Sequence, residues 1–156
     1  MIGETRHMQN MGFLSNPSIY SAGKVYNAER FREMRDKRGY NINARWIDLN
    51  AEQSKDKKLV WKLCHADACS ADMVVIYCHK PNDYLLGTLV EAGHAMGKNK
   101  PVYCINSCIH TVENELSDCA YTSHPLWHNL VLSGGKLTIE AGYRLAIQDY
   151  CENFWG

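Results

Sequence analysis

Two uninterrupted apolar runs, Met73–Cys78 and Pro101–Ile105, constrain this chain most. Neither alternates polar with apolar residues, so each suits a strand buried on both faces, as in a parallel sheet. Parallel strands need a crossover between them, and Thr88–Met96, closed by Gly97, has the length and pattern of that helix. The same alternation extends outward. Ser18–Ala22, closed by Gly23, reads as a first strand, and Asn27 is a candidate cap for the helix NAERFREMRDKRG, ended by Gly39. Tyr40–Leu49 alternates loosely, with Ile42, Ala44 and Trp46, as a second strand. Asn50–Lys58 is polar, LVWKLCHADACS reads as a helix, Leu126–Leu132 offers a last short strand, and Leu137–Phe154 closes the chain as an amphipathic helix.

Strands alternating with helices give an α/β class, expected here as a three-layer doubly wound parallel sheet of about five strands. Residues 1–17 read as a tail without an apolar signal-peptide core, and 18–156 as a single domain. Ligands of such folds bind at the carboxyl ends of the strands. That places Gly23–Asn27, His79–Thr88 and the segment from Asn106 onward at the crevice.

Charge excludes some functions. Lys plus Arg and Asp plus Glu both number 17, so no basic footprint argues for a nucleic acid polymer or an acidic membrane. No apolar run is long enough for a transmembrane helix. Seven cysteines, an odd count, argue against a secreted disulfide framework and fit free thiols in the cytoplasm. Cys64, His65 and Cys69 cluster, as do Cys104, Cys108 and His110, and His124 with His128. No CxxC pair or standard zinc spacing links them, and no metal or other cofactor is expected. The aromatics Trp46, Trp61, Tyr77, Tyr103 and Trp127 suit a core, although Trp46 at a strand end suits stacking on a nucleobase.

The sharpest local signal is GTLVEAGHAMGKNKPVYCI, Gly87–Ile105. Gly87 permits a tight turn after a strand, Glu91 falls on the first turns of the next helix, and Gly93 allows close approach of a backbone or substrate. A helix dipole favours the ionised carboxylate, which suits attack on an oxocarbenium-like carbon. The alternative is a Glu placed near a helix start by propensity alone. Asp72 ends the segment before the buried strand, and Asp67 lies upstream; either can end a helix looking toward the site, the alternative being a turn or cap role for Asp72 and a solvated face for Asp67. In IYSAGKVYNAERF, a strand ending in Ser-Ala-Gly before a helix forms a cradle for phosphate or sugar oxygens, with Lys24 adding charge. The glycine spacing is neither a dinucleotide fingerprint nor a P-loop.

Taken in order, IYSAG with NAERF, ADMVVIY, and GTLVEAGHAMGKNKPVYCI resemble the nucleoside 2-deoxyribosyltransferase family, from about Ile19 to Ile105. The resemblance implies a flavodoxin-like sheet and a homo-oligomer whose neighbour completes the site. It makes Glu91 the nucleophile at C1′ of a 2′-deoxynucleoside or deoxynucleotide. The family's base-handling Asp is replaced here by Cys64, which leaves Asp67 as the substitute, with His65 in support. Tyr20 and Ser21 then line the sugar end, and Asp83 holds sugar hydroxyls. In the subtypes that hydrolyse 5′-monophosphates, Ser21, Gly23, Lys24 and Thr88 would meet the phosphate; Gly87, Trp46 and Asp72 complete the substrate-binding set. Two other readings compete: a TIR-like enzyme cleaving the nicotinamide bond of NAD with a Glu, and a non-catalytic nucleotide-binding module.

Overall fold

A computed structural model describes residues 16–78, 86–106, 131–132 and 138–153. β1 (Ile19–Gly23) leads through a 3-10 turn, Val25–Asn27, into α1 (Ala28–Asp36). A second 3-10 turn, Arg45–Asp48, precedes α2 (Ala51–Lys55) and α3 (Lys57–Ser70). Then come β2 (Met73–Cys78), α4 (Leu86–Gly97), β3 (Val102–Asn106), the two-residue β4 (Val131–Leu132) and α5 (Ile139–Asn153). The strands form one sheet in the order β1-β2-β3-β4, every pair parallel. Ile19 lies beside Met73, Val74 beside Val102 and Cys104 beside Val131.

The apolar runs explain the middle of the sheet. Met73, Val74, Val75 and Ile76 are at most 2% exposed, so β2 is covered on both faces. Side chains alternate between faces along a strand. Tyr20 therefore points toward α4, where it meets Glu91, while Ser21 points toward α5, where its Oγ meets the Tyr143 hydroxyl. Tyr77, in register with Gly23 and so on the Ser21 face, makes an edge contact with Phe31 of α1. α1 and α5 thus cover one face of the sheet, and α3 and α4 the other.

Several local expectations hold in detail. Gly39 adopts φ 80°, a left-handed conformation that lets the chain leave α1, and the Tyr40 N–H returns to the Met34 carbonyl. Two others are corrected, and the polar stretch gains a helix. The Asn27 side chain does not cap α1; its Oδ1 accepts from Arg30 Nη1 at 2.6 Å. The polar stretch after Leu49 contains α2, started by a capping box between Asn50 and Gln53. Tyr40–Leu49 is not a strand. Ile42 makes one parallel bridge to Ile19, on the edge of β1 away from β2. Beyond it, side chains take the chain out of the ladder: Asn43 Nδ2 donates to Ser70 Oγ at 2.9 Å, and the Arg45 N–H donates to Asp67 at 2.8 Å.

Among the described residues, no helix is long and apolar enough to cross a membrane. Cys104 and Cys151 are buried and Cys64 and Cys69 half-buried, and none of these four forms a disulfide.

Candidate functional site

A cavity of about 700 Å³ opens where β1 and β2 deliver their carboxyl ends, between α3, α4 and the Arg45–Asp48 turn. Its floor is Tyr20 and Glu91. Gly23, Lys24 and Val25 form one side, and Gly87 and Thr88 another. Trp46 closes a third, fixed by its Nε1–H, which donates to the Ser21 carbonyl at 2.9 Å, and by an edge contact with Phe31. Trp61, Cys64, His65 and Ala68 come from α3 at the spacing of one helical face, and His94 follows Glu91 by one turn on α4.

Glu91 is the chemically distinctive group. Burial pushes its carboxyl above the ordinary carboxylate range, opposed by hydrogen bonds from Tyr20 and Cys64. It stands in the second turn of α4, beyond the reach of the strongest dipole effect, so burial rather than the dipole sets its protonation. Burial, followed by the Glu91 charge, raises the Tyr20 hydroxyl, which stays protonated as a donor. Burial also pushes the Cys64 thiol up to about 11, leaving a neutral S–H against the carboxylate.

The structure gathers Tyr20, Gly23, Lys24, Trp46, Gly87, Thr88 and Glu91 around this cavity. It does not bring the other expected residues there. Ser21 is fully buried on the opposite face against Tyr143, and it contributes to the site only the carbonyl that holds Trp46. Asp67 is buried, but both its oxygens accept from Arg45, through the backbone N–H and the guanidinium. It braces the turn that carries Trp46 instead of facing the cavity. Asp72 sits at the start of β2, the end remote from the cavity, where its carboxylate accepts from the Ser18 N–H at 2.8 Å. Asp83 and Trp127 lie outside the described residues. Gly87 lies inside α4, and a Cβ there would meet nothing within 4 Å; the same is true of Gly93. The expected tight turn and close approach therefore have no counterpart within this chain at those positions.

Trp61 and His94 were not singled out as site residues by sequence reasoning, and Cys64 and His65 entered only at the family's base-handling position and in support of Asp67. The signal was present: once α3 is a helix, Trp61, Cys64, His65 and Ala68 share a face at spacings of three, four and seven. Trp61 was expected in the core but is 66% exposed, stacked on His65 with ring centroids 5.0 Å apart. No family model matches the chain, and no curated protein matches it.

Proposed function

We propose that the protein cleaves or transfers the N-glycosidic bond of a 2′-deoxynucleoside or deoxynucleotide, with Glu91 as the nucleophile. One observation carries this reading: among the described residues, Glu91 is the one carboxylate at the floor of an aromatic-walled cavity, held by a tyrosine hydroxyl, at the carboxyl ends of parallel strands. In this reading a nucleobase stacks on Trp46, and the sugar C1′ reaches the carboxylate at the floor. The resemblance of the Ile19–Ile105 segments to the nucleoside 2-deoxyribosyltransferase family gives the same assignment. The flavodoxin-like order of that family is supported by the Ile42 bridge, on the outer edge of β1 where its second strand would run.

In this mechanism a Glu91 oxygen forms the bond to C1′ as the bond to the base nitrogen breaks, and that electron pair leaves with the base. Water or a second base then attacks C1′ and releases Glu91, with net retention. Tyr20 holds the carboxylate in place and lets it ionise despite burial. The leaving base meets the imidazoles of His65 and His94 on the cavity wall, since the Cys64 S–H is engaged with Glu91. Gly23, Lys24 and Thr88 line the cavity, and in this reading they meet a 5′-phosphate. Val25, Trp61 and Val90 are 70%, 66% and 73% exposed around the opening. A second copy of the chain covering them would complete the site, as in the family.

Chromatography of deoxynucleosides, deoxynucleoside monophosphates and NAD, with and without an acceptor base, tests the reading. Base release or exchange is expected in wild type and should fall about 1000-fold or more in Glu91→Ala. Nicotinamide release from NAD alone would move the assignment to a TIR-like activity. A second reading, a nucleotide-binding module, is favoured by one observation: a thiol occupies the family's base-handling position and Asp67 is taken by Arg45. Ligand binding without turnover, unchanged in Glu91→Gln, would establish it.

A further inference from the structure

We propose that His65, Cys69 and His94 form a binding site for a zinc-class divalent metal on the flank of the cavity. His65 and Cys69 are four residues apart on α3 and therefore share a face. α4 packs against that helix and presents His94 to the pair. One donor atom from each residue lies within 4.8 Å of the other two. Cys69 Sγ and His94 Nε2 are 2.7 Å apart, and the His65 and His94 rings approach to 4.3 Å between centroids.

The donor set selects the ion. Two imidazoles and a thiol offer nitrogen and sulfur without oxygen, which suits zinc and its neighbours and disfavours magnesium or calcium. Ligand atoms of a tetrahedral zinc ion are separated by about 3.3–3.7 Å, given its usual bond lengths. The Cys69–His94 pair must therefore open by about 1 Å while His65 swings inward. Both are side-chain adjustments, and His65 is exposed enough to make its share. The helices themselves supply the spacing.

Three protein ligands leave a fourth position, the arrangement of zinc sites that keep a water or a substrate atom. His65 and His94 line the cavity and Cys69 does not, so that position is reached from the cavity side. Binding forms a sulfur–metal bond at Cys69, and the thiol proton passes to solvent. Trp61, stacked on His65 at an interplanar angle of 11°, orients that ring.

The test uses the full chain, untagged and stripped with chelator, titrated with cobalt(II) alone. One equivalent should give a sulfur-to-cobalt charge-transfer band and the intense visible bands of tetrahedral cobalt, both abolished by added zinc and untouched by magnesium. Cys69→Ser should remove the charge-transfer band. His65→Ala and His94→Ala should weaken binding by about 100-fold or more. Circular dichroism checks folding; if Cys69→Ser or His94→Ala unfolds the chain, the exposed His65→Ala decides. Absence of a thiolate–cobalt band overturns the site. So does a band indifferent to these substitutions, which would place the ion on other cysteines and histidines. Glu91→Ala should bind cobalt like wild type, so this outcome is separate from that of the glycosidic reading.

Discussion

The Tyr20 hydroxyl donates to the Glu91 carboxylate, tying the second residue of β1 to the second turn of α4. This bond opposes the burial that raises the Glu91 carboxyl above its ordinary range. Tyr20→Phe removes the donor and leaves the ring, so Glu91 should titrate at higher pH than in wild type. A hydrogen bond to a charged group is worth about 1.5–3 kcal/mol, and base release near neutral pH should fall by about 10- to 100-fold. The acid limb of the pH–rate profile should move upward, and activity should recover as pH rises. An unmoved limb would separate Tyr20 from Glu91 ionisation.

Glu91 also makes stability depend on pH in a stated direction. Its folded-state pKa is raised, so between its unfolded and folded values the native state holds more protons than the unfolded state. Its contribution to stability is therefore fully present below the unfolded value and is lost as pH rises through the folded one. Glu91→Gln cannot ionise and should melt higher than wild type at pH 8. The difference should shrink on acidification toward the ordinary carboxylate range. Parallel melting curves for the two proteins across this window would contradict the assignment of burial as the cause.

Asp67 should behave as a brace. Its carboxylate satisfies the Arg45 N–H and guanidinium, and Arg45 carries the chain into Trp46. Asp67→Ala should lower unfolding free energy in urea by about 1–3 kcal/mol, because a buried set of charge-assisted bonds is lost. Below the melting transition it should keep base-release turnover within about tenfold of wild type, unlike Glu91→Ala. Loss of turnover equal to that of Glu91→Ala, in a folded protein, would return Asp67 to the reaction.

Gly142 reports on the packing of α5 against the sheet. A Cβ at this position would overlap Cγ1 and Cδ1 of Ile105. In an exposed helix, Gly→Ala stabilises by about 1 kcal/mol through propensity. Here overpacking should win, and Gly142→Ala should destabilise by about 1–3 kcal/mol in chemical denaturation. Adding Ile105→Val should recover part of that loss, since it removes one of the crowded methyl groups.

Much of the fold was legible as hydrophobic pattern. Met73–Cys78 and Pro101–Ile105 carry no polar face, and burial on both sides of a parallel sheet is the arrangement that uses them. Helical spacing likewise placed α3, α4 and α5, and Gly39 marked the exit from α1 because few other residues tolerate its positive φ. Glu91 was legible for the same local reason: its distance from the preceding strand puts it near the start of a helix, at the carboxyl-end edge of the sheet.

The tertiary structure decided what lay between neighbours. Tyr40–Leu49 had the alternation of a strand, yet Asp67 and Ser70, far along the chain, offered Arg45 and Asn43 better partners than a ladder. That same capture took Asp67 from the cavity and left Cys64, one turn earlier on the same helix, beside Glu91. Tyr20 and Ser21 are adjacent in sequence but serve opposite faces, and only the packing of α4 and α5 says which face holds the site. The spacing of His65 and Cys69 was written in the sequence; His94 joins them because α4 packs on α3. Periodicity fixes which side chains share a face, because it is a property of the local backbone. Which face meets which partner depends on contacts between distant segments, and that was decided only when the chain folded.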